Sequence, residues 1–330
     1  MSRPASESPA AQDEIRIANR ATYWPVSPID IVFAAPLVAR VLLGVSPVGR
    51  VVQGAAWGLY LGTALRDWRD RRGIRKIVFR REFGADLRHL VPMPRELRLA
   101  EVCVLAARLG DELALERVGR RELAVEVDRQ LTRFIADITG QRVRTSAEVR
   151  RFVLVGLAFP FALGACDMLS GDVAIFKDVG LLEPHVIAHE FGHRKGYWKE
   201  LHAQVLAYLA LVSSGVPLLR QSALLERLHR NLRVLSGDDH EAYDRLVARA
   251  PLRRELRGLL ASLRPPRRRL ERHIQGGMRR VYDARMRMTG QTGISDYDRG
   301  FTDFLYTFET STVARQTPPA AGALHRPAAP

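Results

Sequence analysis

The stretch "HVIAHEFGHRKGYWKELHAQVLAYLA", His185 to Ala210, concentrates the residues that can do chemistry. His189 and His193 are four residues apart, so on a helix their imidazoles share a face and can meet one ion. Glu190 stands beside them, where a carboxylate can act as general base on a metal-activated water. This His-Glu-x-x-His spacing is that of zinc hydrolases, and Zn2+ is the cofactor it implies. A working catalytic site of this type needs a third protein ligand and keeps one position open.

Three nearby residues can supply that ligand: His185, Glu200 and His202. Gly196 follows His193 and predicts a sharp reversal with positive φ. A second helix, from about Trp198 to Val212, should then run back over the first. On it, His202 shares a face with Trp198, Val205, Leu206 and Leu209, which reads as the inward face. Glu200 shares a face with Gln204 and Tyr208 and reads as pointing elsewhere. The face argument favours His202, with Glu200 as the alternative. His185, one turn before His189, reads as a residue of the early helix. Lys199 stands where a third His would complete HExxHxxGxxH, which excludes the metzincin arrangement. Tyr297, Tyr282 and His273 can each stabilise an oxyanion, but each reads first as structural.

The elements that must position these groups are mostly helical. Pro184 suits the first turn of the helix that carries the motif. Before it, Val173 to Lys177 reads as a short strand flanked by Asp172 and Asp178, which read as turn and cap residues. That strand is expected to offer its edge to an extended substrate beside the metal. Leu87 to about Ile138 has apolar residues at three- and four-residue spacing, with Gly140 as a stop. "TSAEVRRFVLVGLAFPFALGA" reads as a capped core helix, kinked or ended at Pro160. Gln221 to Leu270 reads as amphipathic helix, broken at Gly237-Asp238 and at Pro265-Pro266.

Met1 to about Asn19 has no apolar period and reads as a flexible tail without a cleaved signal peptide. "TPPAAGALHRPAAP" reads as a second disordered tail. Between them lie two apolar runs. Ile31 to Val48 has eighteen residues and one charge, Arg40; Val51 to Leu65 has fifteen residues and none. Each is short for a bilayer span. Arg66 to Arg81 then carries eight basic and two acidic residues. A basic block after an apolar run marks the cytoplasmic side of a membrane segment and attracts anionic headgroups. The expectation is a membrane-associated protein with its metal site on the cytoplasmic side. The competing reading is a buried hairpin followed by a basic surface helix.

The chain has 330 residues, 47% hydrophobic, and a net charge of +15 carried almost wholly by arginine. Such a balance points to acidic partners or to arginine on ordinary solvated faces. The basic run "RPPRRRLERHIQGGMRR" has no aromatic interleaving and no recognised motif, which argues against nucleic acid. Cys103 and Cys166 sit in apolar runs and read as buried free thiols, not as a disulfide framework.

These residues resemble a bacterial family of predicted membrane zinc metallopeptidases catalogued as a domain of unknown function. That family's signature runs His-Glu-Leu-Ala-His-x-x-Gly and then Glu-Ala-Asn-Phe-Leu-Ala-Tyr-Leu. "HEFGHRKGYWKELHAQVLAYLA" matches it at Gly196, Ala203, Leu206, Ala207, Tyr208 and Leu209 without a gap. "WGLYLGTALRDWR" and "VYDARMRMTGQTGISDYDRGFTDFL" are also similar, so the resemblance covers most of residues 24 to 310. It implies that the ligand before Ala-Asn, a Glu in the family, is here His202.

The fold expected is mainly α. It has a zincin-like helical metallopeptidase core, a short β element before the HExxH helix and an apolar N-terminal helical hairpin. The domains expected are a tail over 1–20, the hairpin with its basic flank over 21–82, the metallopeptidase-like domain over 83–315 and a tail over 316–330. The function expected is that of a zinc-dependent hydrolase, a peptidase acting on peptide or protein. His189, His193 and His202 would hold the metal and Glu190 would be the base. The alternative is an inactive metallopeptidase-like protein that binds membrane or a partner, for which a closed site with His185 as fourth ligand would speak.

Overall fold

The computed structural model describes residues 13–18, 40–44, 46–115, 118–151, 163–166, 171–176, 178–237, 239–264 and 297–313. Strand β1 (Asp13–Arg16) is followed by α1 (Pro47–Arg71), the short α2 (Phe79–Phe83), α3 (Arg95–Asp111) and α4 (Arg120–Thr139). Four strands follow: β2 (Gln141–Arg144), β3 (Arg150–Arg151), β4 (Gly164–Cys166) and β5 (Val173–Ile175). Then come α5 (Glu183–Arg194), α6 (Glu200–Val212), α7 (Pro217–Ser236), α8 (His240–Arg249), α9 (Arg254–Ser262) and α10 (Tyr297–Thr310). The protein is mainly helical, as its periodicity predicts.

The helix limits follow local chemistry. Pro184 lies in the first turn of α5 and Pro217 in that of α7, where a missing N–H costs nothing. Gly140 and Gly237 close α4 and α7 in the left-handed region. The Asp239 side chain caps α8 by accepting from the Ala242 N–H at 2.6 Å.

The core is built around α5 and α6. Every residue of α5 is buried, and so is every residue of α6 from Ala203 to Val212. A helix that is apolar all round belongs inside a larger body. Helices α4, α7 and α10 pack on the pair and α3 packs on α7; together they contribute Leu131, Leu228, Phe304 and Leu105 to one continuous core. Phe79, on the N-terminal side of the domain limit expected at 82, packs in that same core with Phe83. Gly192 lets α5 and α6 approach closely, because a Cβ there would lie 3.3 Å from the Cα of Ala203.

The β structure differs from expectation in three places. Asp13–Arg16 is not tail but a strand, paired in parallel with β2 and held by an Ile15–Val143–Ile74 contact. The stretch expected to be one core helix from Thr145 is bounded by strands β3 and β4, and residues 152–162 lie outside the described residues. The three-stranded sheet has the order β3-β5-β4, so β5 is its centre and β4 its edge. The strand foreseen as an edge is therefore buried on both sides by its neighbours.

The apolar hairpin also needs correction. Helix α1 covers the second apolar run alone, while residues 31–39 of the first lie outside the described residues. Among the described residues no helix is long and apolar enough to cross a membrane. The physical reason is composition: α1 has 25 residues, but Arg50, Gln53, four glycines and the charged C-terminal end leave it too polar. The cysteines are not buried, contrary to expectation: Cys103 is exposed and Cys166 half-buried.

Candidate metal centre

The reversal after the motif follows the sequence. Gly196 has φ +90°, and its carbonyl accepts from Lys76 Nζ at 2.9 Å. This turn brings the start of α6 back over the end of α5. The side chain it delivers is Glu200. Its Oε2 lies 3.2 Å from His189 Nε2 and 3.5 Å from His193 Nε2, and the two Nε2 atoms are 3.1 Å apart. Three donors around a tetrahedral zinc at about 2.0–2.1 Å would stand about 3.3 Å from one another. The donor types and their spacing fit such an ion.

His202 is elsewhere. Its ring stacks on Phe79 with centroids 3.8 Å apart and planes 10° from parallel. Burial lowers its pKa to about 4, so it is a neutral core histidine. The expected ligand is thus displaced by the residue placed second. The face argument failed because α6 is buried all round and has no outward face to discard. Helix α6 also starts at Glu200, so Trp198 never shares a helical face with His202.

The remaining groups fall into place around this cluster. Glu190 has a carboxylate oxygen within 4.8 Å of the His189 and His193 donor atoms. Burial raises its pKa, while the two histidines pull the other way. The Cys166 N–H donates to this carboxylate, which ties Glu190 to strand β4. Gly164 makes that approach possible: a Cβ there would lie 3.0 Å from the Ala174 carbonyl and 3.3 Å from Glu190 Cγ. Burial disfavours charge on His193, but the Glu200 carboxylate outweighs it and lifts the pKa to about 9. The same pairing overrides burial at Glu200 and holds its carboxyl well below the usual range. The cluster is electrostatically suited to positive charge.

His185 is buried beside Glu226, with Nε2 3.9 Å from Oε1, and is not in the ligand group. Burial lowers its pKa to about 4. Asp172 makes a buried ion pair with Arg150, and Asp178 accepts from the Gly180 N–H at 2.9 Å as a turn residue. Tyr297 reaches the site: its hydroxyl is 3.5 Å from His189 Nδ1. Tyr282 and His273 lie outside the described residues. Trp198 stacks on His193 at 6.1 Å, and the Arg71 guanidinium covers Trp198 at 5.4 Å, which links the end of α1 to the site.

Sequence reasoning passed over Gln204, Glu226 and Arg230. A signal was available for Gln204 alone, a polar residue between Ala203 and Val205 on a largely apolar helix; Glu226 and Arg230 stand among other polar residues of α7.

A family model described as a protein of unknown function (DUF3810) matches residues 178–306. The match is less than half of the chain, but it spans α5, α6, α7 and Tyr297. The chain is similar to that family, which carries no assigned activity. No curated protein and no solved structure matches.

Proposed function

We propose that this protein is a zinc-dependent hydrolase with a zincin-like site, and that its substrate is a peptide or protein. The observation that supports this best is the triangle of His189, His193 and Glu200 donors at 3.1–3.5 Å, with a raised-pKa Glu190 beside it. When bound, zinc supplies Lewis acidity, which acidifies water and polarises a carbonyl. The protein's own residues do the rest. Glu190, buried and hydrogen-bonded by Cys166, takes a proton from the attacking water and returns it to the leaving amine. Among the described residues β4 is an edge of its sheet, and that edge offers a substrate strand a pairing site next to the Glu190 carboxylate.

The reading includes a location. Helix α1 bears exposed apolar residues and ends in a basic flank, which suits attachment to an anionic membrane surface with the site on the flank's side, the cytoplasmic one.

The test is metal content and proteolysis together. Zinc per chain is measured for wild type and for Glu200→Ala, His202→Ala and Glu190→Gln. The expected result is about one zinc in wild type, His202→Ala and Glu190→Gln, and little in Glu200→Ala. Casein or a peptide library should be cleaved by wild type and by no more than a trace in Glu190→Gln, since removing a general base costs about 10²–10⁴ in rate. Zinc bound without any cleavage would favour an inactive metal-binding module; wild type without zinc would sink the proposal.

A further inference from the structure

The two histidines of the site are steadied in different ways. His193 Nδ1 faces the Tyr197 carbonyl at 2.8 Å. A carbonyl only accepts, so Nδ1 carries the hydrogen and Nε2 keeps its lone pair for the ligand cluster. Among the described residues no carbonyl does this for His189. What faces its Nδ1 is the Tyr297 hydroxyl, at 3.5 Å, the outer limit of a hydrogen bond, with the rings edge-to-face at 6.4 Å. A hydroxyl can donate or accept, so alone it would leave the tautomer open.

The buried chain behind Tyr297 closes that choice. Arg230 Nε donates to Glu226 Oε1 at 2.5 Å, and a second guanidinium nitrogen donates to Asp298. Glu226, almost wholly buried, is held ionised by this partner, with its pKa lowered to about 2 despite burial. An ionised carboxylate only accepts, so Gln204 must turn its amide nitrogen toward Glu226, as it does. The carbonyl oxygen of Gln204 is then the atom left for Tyr297, whose hydroxyl donates to it at 2.6 Å. With its single hydrogen given away, Tyr297 offers His189 only lone pairs. The Tyr297 contact therefore calls for a hydrogen on His189 Nδ1, the tautomer whose bare Nε2 faces the ligand cluster.

We infer that Tyr297 is the positioning residue for His189, and that Gln204, Glu226 and Arg230 fix the direction of its hydrogen bond. The inference rests on the zinc-site reading, but its first readout needs no metal. Arg230 also lies over the Tyr297 ring at 4.8 Å, so one cation both orients the phenol and sets the polarity of the chain. Outer partners of metal-binding histidines raise affinity by about 10–100-fold through this kind of orientation.

The experiment uses the full chain in mild detergent. After chelation, long-range 15N–1H imidazole spectra should show His189 as the Nδ1–H tautomer in wild type and as a mixture in Tyr297→Phe. Zinc competition with a chromophoric chelator should then give affinity 10–100-fold weaker in Tyr297→Phe. Tyr243→Phe is the control, since Tyr243 is a buried tyrosine whose hydroxyl faces another histidine, His229, at 3.0 Å. It should leave zinc affinity unchanged. If Tyr297→Phe does not fold, Gln204→Met keeps the phenol but frees its hydrogen and should mix the His189 tautomers likewise. A single His189 tautomer that survives either change, or equal losses of zinc affinity in the two Tyr→Phe variants, overturns the inference. Wild type that shows the tautomer but takes up no zinc overturns the proposed function and leaves the hydrogen-bond assignment standing.

Discussion

On the proposed function, proton and zinc compete for the same imidazole at this site. Glu200 raises His193 to a pKa of about 9, so at neutral pH a bound zinc must displace a proton. Below that value each lower pH unit favours the proton tenfold. Zinc affinity measured by chelator competition should therefore rise about tenfold per unit between pH 7 and 9 and then flatten. Affinity that is flat across that window would mean that His193 does not hold the cation. Stability has its own pH dependence, with the opposite groups in charge. Burial lowers His185, His202 and His229 to about 4 from an ordinary 6.5. Between those limits the unfolded chain binds protons that the folded protein refuses, so stability is intact above about 6.5 and lost as pH falls toward 4. The urea midpoint should drop steadily from pH 7 to 5, and His202→Leu should make that drop shallower. A midpoint independent of pH would contradict the buried neutral state of these rings.

The α5–turn–α6 hairpin is the element on which the site depends. Gly196 holds φ +90°, and a Cβ there would run into Lys76 Nζ, whose ammonium ties the turn to the chain after α1. Gly196→Ala should cost on the order of 1–3 kcal/mol of stability, through the left-handed backbone and the displaced lysine. It should also weaken zinc binding, because the turn sets where Glu200 stands relative to the two histidines. A variant with wild-type melting and wild-type zinc affinity would show that another feature sets the reversal. This hairpin was the most legible part of the sequence. Helical spacing put His189 and His193 on one face, Pro184 marked the start and Gly196 the turn. The approach of Glu200 to the two histidines was not legible, because face arguments need a helix with two kinds of face and α6 has only one. The β elements were hidden for a related reason. Strands of two to four residues are too short to show alternation, and the pairing of Asp13–Arg16 with Gln141–Arg144 joins segments more than a hundred residues apart.

At the scale of the whole molecule, the arginine excess divides into two populations. Arg98, Arg150, Arg227 and Arg230 are committed to interior pairs with Asp303, Asp172, Glu101, Glu309, Glu226 and Asp298, and contribute no outward field. Arg66, Arg69, Arg72, Arg75, Arg80 and Arg81 are exposed and lie at or just beyond the end of α1. Upstream of them, Trp57, Leu61, Leu65 and Trp68 fall within about 80° of one another around the α1 axis, from the 100° turn per residue. Leu61 is 63% exposed and Leu65 65%. An apolar stripe that ends in a cationic cluster has the form of a helix that enters an anionic interface and keeps its charges at headgroup level. Arg71, at the same end, reaches inward to the Arg194 carbonyl and to Trp198 over His193, so attachment would hold the metal centre close to the lipid surface. The protein should co-sediment with phosphatidylserine-containing vesicles, and less so with neutral ones. Leu61→Glu with Leu65→Glu should lower that partition at least tenfold without touching zinc content. Raised salt should weaken binding of wild type to anionic vesicles, because each interfacial arginine contributes about 1 kcal/mol that a shorter Debye length removes. Equal partition of wild type and the double variant would assign the stripe to a protein contact instead, and the membrane location would fall while the metal chemistry stood.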